Sequence, residues 1–169
     1  ASGLDDDDPL TALLRRAEVL TRSPDPKLDA VARLLRPLIA DGANPVIFCR
    51  FIATADHVVG GLRKHFPRLR IEAVTGVLTP EERRRRVETM AEAEQRLLVA
   101  TDCLSEGINL QGLFDAVIHY DLCWNPTRHQ QREGRVDRFG QPSPLVRSVL
   151  LYSPDSAIDG AVLEVILRK

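Results

Sequence analysis

Apolar residues cluster into five short runs, most of them continuous rather than alternating with polar residues. The runs span residues 46–51, 70–74, 97–101, 116–121 and 146–152. Continuous runs of this length are typical of parallel strands that are covered on both faces. The pattern therefore predicts a buried, mainly parallel sheet.

The stretches between these runs are long enough for crossover helices, which we predict at about 54–66, 80–94 and 126–138. The second of these begins with Thr79, Pro80 and Glu82 at the spacing of a capping box. Strands that alternate with helices in this way predict an α/β fold.

Two further helices precede the first strand. Asp8 and Pro9 open one with five apolar positions on one face: Leu10, Leu13, Leu14, Ala17 and Leu20. The other spans 26–40, where we expect Pro37 to cause a kink. We therefore divide the chain into N-terminal helices at 1–44 and a lobe at 45–169, within one compact domain, which suits a length of 169 residues.

Composition narrows the classes of protein to consider. Hydrophobic residues make up 44% of the chain and charged residues 28%, as in soluble globular proteins. The formal net charge is -1, and the acidic run 5–8 offsets several arginines. Any contact with nucleic acid must therefore come from a local basic patch.

Cysteine and histidine residues give no sign of a metal site. Cys49, Cys103 and Cys123 are widely spaced, and the four histidines (57, 65, 119 and 129) have no partners at ligand spacing, so we interpret these histidines as structural or surface residues. Free cysteines favour a reduced, cytoplasmic protein. The sequence has no apolar run of membrane-spanning length and no leader, and both ends favour an excised fragment.

The richest chemistry lies in residues 120–141. Four arginines occur there within what reads as one short helix: Arg128, Arg132, Arg135 and Arg138. Guanidinium groups offer paired donors to phosphate oxygens and stay charged at any working pH. The stretch therefore favours a polyphosphate site, with a solvated amphipathic helix as the alternative.

These residues resemble motif VI of superfamily 2 helicases, Q-x-x-G-R-x-x-R, through Gln131, Gly134, Arg135 and Arg138. The flanking stretches 124–126 (Trp-Asn-Pro) and 140–141 (Gly-Gln) are similar to those of Swi/Snf-like DNA translocases. Asp137 stands where many eukaryotic remodellers carry histidine, so the stretch resembles most the bacterial RapA-like group.

The rest of the chain resembles the same family, in the order of its second RecA-like lobe. Residues 46–51 are similar to motif IV, Val74 to Gly76 with Arg83 to the next block, and 101–110 to motif V. In motif V, Thr101 and Gly107 match, whereas the role of Glu106 stays open.

The resemblance implies a RecA-like three-layer sandwich and three groups of site residues. Those expected to be catalytic, as arginine fingers, are Arg135 and Arg138. Those expected to bind nucleotide are Gln131, Gly107 and Asn109. Those expected to bind DNA are Arg50, Thr75, Gly76, Thr101 and Trp124, of which the tryptophan would otherwise be a core residue.

The printed sequence contains neither a G-x-x-x-x-G-K-[S/T] loop nor an acidic magnesium motif. We therefore expect ATP and Mg²⁺ to be held mainly by an N-terminal RecA-like lobe outside this chain, and the chain alone to be inactive. The other expected partner is double-stranded DNA, with RNA polymerase and phage-defence partners both left open. The alternatives are an RNA helicase lobe and a non-catalytic protein-interaction module.

Overall fold

The computed structural model describes residues 9–105 and 108–168 of the chain. Five parallel strands form one sheet in the order β2-β3-β1-β4-β5. The strands are β1 (Pro45–Phe48), β2 (Arg70–Val74), β3 (Arg96–Ala100), β4 (Ala116–His119) and β5 (Arg147–Leu150). The predicted α/β fold with a parallel sheet is confirmed. Four of the strands end one to three residues earlier than predicted, because the last apolar residues leave the sheet as loops.

The described part of the chain also contains six α-helices. They are α1 (Pro9–Arg22), α2 (Pro26–Ala40), α3 (Ile52–His65), α4 (Pro80–Thr89), α5 (Pro126–Glu133) and α6 (Ala157–Leu167). The capping box of α4 forms as predicted, since the backbone N–H of Thr79 donates to Glu82 Oε2 at 2.8 Å and Thr79 Oγ1 accepts from the Glu82 N–H. A 3₁₀ turn, Asp102–Ser105, follows β3.

Successive strand residues point to opposite faces of the sheet and build a core on each. Ile47 of β1 and Val99 of β3 pack with α2 and α3, where Leu35 and Leu62 are fully buried. On the other face lies a second core, which contains Val46, Phe48, Leu98, Val87 of α4 and Leu110. Helices and loops on both faces of one sheet make the three-layer sandwich that the resemblance implied.

Helix α1 differs from the other N-terminal helix. The apolar positions noted in its sequence are exposed, with Leu13 at 59% and Leu20 at 72%. Helix α2, in contrast, buries five residues in the core and continues through Pro37. No helix in the described residues combines the length and the apolar character needed to cross a bilayer.

Candidate functional site

The candidate site lies at the carboxyl ends of the central strands. After β1 the chain forms β2 and β3, which lie on one side of β1 in the sheet. It then forms β4 and β5, which lie on the other side of β1. The neighbouring strands β1 and β4 therefore lead to opposite halves of the sheet, and the direction of the chain across the sheet reverses between them. Ligand crevices of open parallel sheets form at such a reversal. The loops that follow β1, β3 and β4 meet there and carry Arg50, Asp102 and Trp124.

Two adjoining cavities open at this edge. The first, which we call the arginine cavity, has a volume of about 380 Å³ and is lined by Gln131, Arg132 and Arg135 among others. The second, the tryptophan cavity, has a volume of about 580 Å³ and is lined by Arg50 and Trp124 among others. Three residues line both cavities: Asp102, Asn125 and Arg128.

Asp102 joins the loop after β3 to helix α5. Its Oδ1 accepts from Arg132 Nε at 2.7 Å, and its Oδ2 accepts from Arg132 Nη2 at 3.1 Å and from Arg128 Nη1 at 3.0 Å. Burial alone would raise the pKa of this carboxyl, but the hydrogen bonds and charges of Arg132 and Arg128 outweigh it and hold the pKa below its usual value. Asp102 is therefore ionised at neutral pH, with one carboxylate between two guanidinium groups.

Arg132 is fixed in place. Its side chain is 3% exposed, and the guanidinium lies 5.4 Å from the centre of the Phe48 ring. A buried guanidinium needs both hydrogen-bond partners and an opposite charge, and the paired bonds from Asp102 supply them. Arg132 thus anchors α5 against the ends of β1 and β3.

The prediction of one helix from 126 to 138 is wrong, because α5 ends at Glu133. Gly134 caps it, and a Cβ at that position would lie 3.2 Å from the carbonyl oxygen of Gln130. Arg135 and Arg138 therefore do not lie on adjacent turns of one helix. They follow it in a turn and a bend.

That loop is nevertheless held by specific contacts. Gln141 Nε2 donates to the carbonyl oxygens of Phe114 at 3.0 Å and Val136 at 2.8 Å. Gly140 has φ of 90°, which favours glycine, and Gln111 Nε2 donates to the carbonyl of Phe139. The position of Arg138 is thus defined by loop anchoring and not by helical spacing.

The residues predicted to bind nucleotide are brought only partly together. Gln131 and the half-buried Arg135 line the arginine cavity, whereas Arg138 lies outside its lining. Arg138 Nη1 instead donates to Asn109 Oδ1 at 3.3 Å. Gly107 lies outside the described residues, so its predicted role stays a prediction.

The residues predicted to bind DNA gather at the tryptophan cavity, with one exception. Arg50, Gly76, Thr101 and Trp124 all line it. Trp124 is 65% exposed, which excludes the core alternative for this residue. Thr75 is buried at the end of β2 and does not contribute to the lining. DNA binding by these residues stays a prediction.

Two buried histidines lie near α5. The rings of His119 and His129 are 4.5 Å apart, and His119 Nε2 lies 3.2 Å from Glu133 Oε1. Burial, together with the charges of His129 and Arg132, lowers the pKa of His119 to about 3. Its contact with Glu133 is therefore a hydrogen bond of a neutral imidazole rather than an ion pair.

Sequence reasoning gave no role to Asp102, and it placed Arg128 and Arg132 only within the run of four arginines that favours polyphosphate. One signal was present, since Asp102 is an acid placed directly after a predicted strand, where ligand crevices form. Its pairing with α5 joins positions 26 and 30 residues apart along the chain. No local pattern indicates such a contact.

The donor set of the arginine cavity suits a polyphosphate, because three guanidinium groups and the Gln131 amide line it. The same region does not suit a resident metal ion. Among residues 9–105 and 108–168, no group of three or more His, Cys, Asp or Glu side chains is placed to hold one. The described lining can thus contribute donors to a bound phosphate.

Residues 26–140 match a protein-family model described as helicase conserved C-terminal domain. The ATP-dependent helicase YqhH of Bacillus subtilis is 52% identical over 58 residues, which are 34% of this chain and 10% of that protein. DEAD-box ATP-dependent RNA helicase 9, mitochondrial, of Arabidopsis thaliana is 28% identical over 127 residues, 73% of this chain and 20% of that protein. The chain thus spans a fifth or less of the length of these relatives.

Among solved structures, the C-terminal part of the Fun30 ATPase domain superposes with a TM-score of 0.69. The sequences are 22% identical, and the match covers 82% of this chain and 44% of that chain. This likeness confirms the RecA-like fold that the motifs implied.

Proposed function

The chain belongs to the helicase conserved C-terminal domain family, the RecA-like C-terminal lobe of superfamily 2 helicases, and from this premise we propose that it serves an ATP-dependent translocase on double-stranded DNA. The proposed translocase is of Swi/Snf-like type and RapA-like. The activity belongs to the complete protein, by which we mean this chain together with an N-terminal RecA-like lobe that carries the phosphate loop and the Mg²⁺ ligands.

The observation that carries this proposal is the pair of adjoining cavities that share Asp102 and Arg128. One cavity is lined by guanidinium groups suited to polyphosphate, and the other by an exposed aromatic and a second set of polar groups suited to a nucleic-acid backbone. A translocase must couple the state of its bound nucleotide to its affinity for nucleic acid. Side chains common to both cavities provide a direct physical link.

On the nucleotide side, ATP bound against the N-terminal lobe supplies the phosphoryl group whose transfer to water releases the free energy. Arg135, which lines the arginine cavity, and Arg138, which lies outside its lining, would place positive charge towards that phosphoryl group and stabilise the negative charge that develops on its oxygens. Gln131, which lines the same cavity, would help to couple the nucleotide site to motif V, and Asn109 holds Arg138 through its 3.3 Å hydrogen bond.

On the nucleic-acid side, Arg50 and the Thr101 region contact backbone phosphates, while Trp124 packs against the strand at the rim. Phosphate contacts of this kind position a protein without reading sequence. Closing and opening of the cleft between the two lobes would then move the duplex stepwise.

An RNA helicase lobe is the second candidate, and the likeness to a DEAD-box RNA helicase over 73% of the chain favours it. The Trp-Asn-Pro and Gly-Gln flanks of the α5 region favour the DNA translocase instead.

The test compares ATP hydrolysis by the complete protein with duplex DNA, duplex RNA and single-stranded RNA as cofactors. We expect duplex DNA to stimulate hydrolysis most, and Trp124→Ala to reduce this stimulation. Stronger stimulation by RNA would support the RNA helicase lobe. Absence of hydrolysis with every nucleic acid would favour the non-catalytic interaction module.

A further inference from the structure

We propose that Arg128 is a further phosphate-binding residue, which exchanges its bond to Asp102 for a backbone phosphate of nucleic acid in the tryptophan cavity. The inference rests on the proposed function, since it requires this lobe to contact nucleic acid. It assigns a nucleic-acid role to Arg128, the exposed arginine of α5 that lines both cavities.

The two arginines on Asp102 are not equivalent. Arg132 donates two hydrogen bonds to the carboxylate and is 3% exposed, whereas Arg128 donates one bond and its side chain is 55% exposed. An exposed single ion pair is weak because water competes for both partners. Arg128 is therefore the partner of Asp102 that can leave.

Departure of Arg128 leaves no charge stranded in the protein. Asp102 keeps both bonds to Arg132, so its carboxylate remains neutralised. The released guanidinium moves within a region that is already open to water. The connection between the loop after β3 and α5 therefore survives the exchange.

The tryptophan cavity is the favoured destination. Among the described side chains that line it, only Arg50 and Arg128 are cationic, whereas the arginine cavity already has Arg132 and Arg135. Trp124, on the same wall, gives the cavity an exposed ring against which a strand can pack. Two neighbouring backbone phosphates, with one negative charge each, would then match the two guanidinium groups of Arg50 and Arg128.

The experiment measures binding of fluorescent duplex DNA of mixed sequence to the complete protein over a series of KCl concentrations. The plot of log K against log [KCl] has a slope of about -0.9 for each phosphate that is neutralised. For Arg128→Gln we expect the magnitude of that slope to fall by about 0.9, and for Arg128→Lys we expect it to be largely restored. Arg84→Gln, at an exposed position on α4, is the matched control and should keep the wild-type slope.

An unchanged slope in Arg128→Gln, with the variant folded by circular dichroism, would overturn the inference. A second arm titrates a fluorescent ATP analogue without DNA. Weaker nucleotide binding together with an unchanged DNA slope would assign Arg128 to the nucleotide phosphates and would also overturn it. If the wild-type protein itself shows no salt-dependent binding to DNA, the proposed function fails, which is a different outcome from failure of Arg128 alone.

Discussion

Arg132 and Arg128 share one carboxylate, yet the structure predicts very different effects on stability when each is replaced by glutamine. Arg132→Gln removes two charged hydrogen bonds to Asp102 and the guanidinium over Phe48, all in a site where the side chain is 3% exposed. Breaking a buried ion pair costs about 3–5 kcal/mol. Asp102 is 32% exposed, so its carboxylate can be hydrated again once Arg132 is lost. We therefore expect a destabilisation at the lower end of this range, about 3 kcal/mol.

Arg128→Gln removes one bond at a site where the arginine is 55% exposed, so we expect a loss of about 0–1 kcal/mol. Urea unfolding of the purified chain, followed by circular dichroism, measures both values, and an unchanged m-value confirms that the unfolding transitions are comparable. Equal destabilisation by the two variants, or a loss below about 1 kcal/mol for Arg132→Gln, would refute the assignment of Arg132 as the anchor of α5.

Three further predictions concern the complete protein and the fold. Arg135→Ala and Arg138→Ala should leave ATP binding largely intact but slow DNA-stimulated hydrolysis by about 10³-fold. Arg138→Lys should restore little of this activity, because an ammonium group lacks the paired donors of a guanidinium. Near-normal turnover in both alanine variants would exclude the arginine-finger role. Trp124→Ala should have the same midpoint of urea unfolding as the wild type but lower DNA-stimulated hydrolysis. A lower urea midpoint would show instead that the ring supports the fold. His119 has a folded pKa of about 3 against 6.5 in the unfolded chain, so between these values only the unfolded state binds a proton. Stability should therefore fall as the pH is lowered through this range, by up to about 1.4 kcal/mol per pH unit. In a pH series of unfolding curves, His119→Gln should reduce this slope, and an unchanged slope would contradict a buried neutral imidazole.

Much of the fold could be predicted because the signals that determine it are local. Continuous apolar runs gave all five strands, and the capping box at Thr79 placed the start of α4. The end of α5 could not be predicted from arginine spacing. Gly134 terminates the helix, and the following loop is held by Gln141 through carbonyls that include one 27 residues earlier.

The candidate site could be predicted where family motifs name residues, and not where it depends on pairing across the sheet. Gln131, Arg135 and Trp124 lie at the predicted edge, on the linings of two cavities. The Asp102 cluster, in contrast, forms because β1 and β3 are neighbours and bring Phe48, Asp102 and Arg132 together. Apolar periodicity carries no information about that contact.

If this lobe helps to drive movement along intact duplex DNA, displacement of a third strand provides a direct readout of that movement. The complete protein is mixed with a DNA duplex that carries a triplex-forming oligonucleotide, and release of that oligonucleotide is followed over time. We expect ATP-dependent release without separation of the duplex strands, and loss of release in Arg135→Ala. Absence of release, with ATP-dependent unwinding of an RNA duplex by the same preparation, would exclude a duplex DNA translocase.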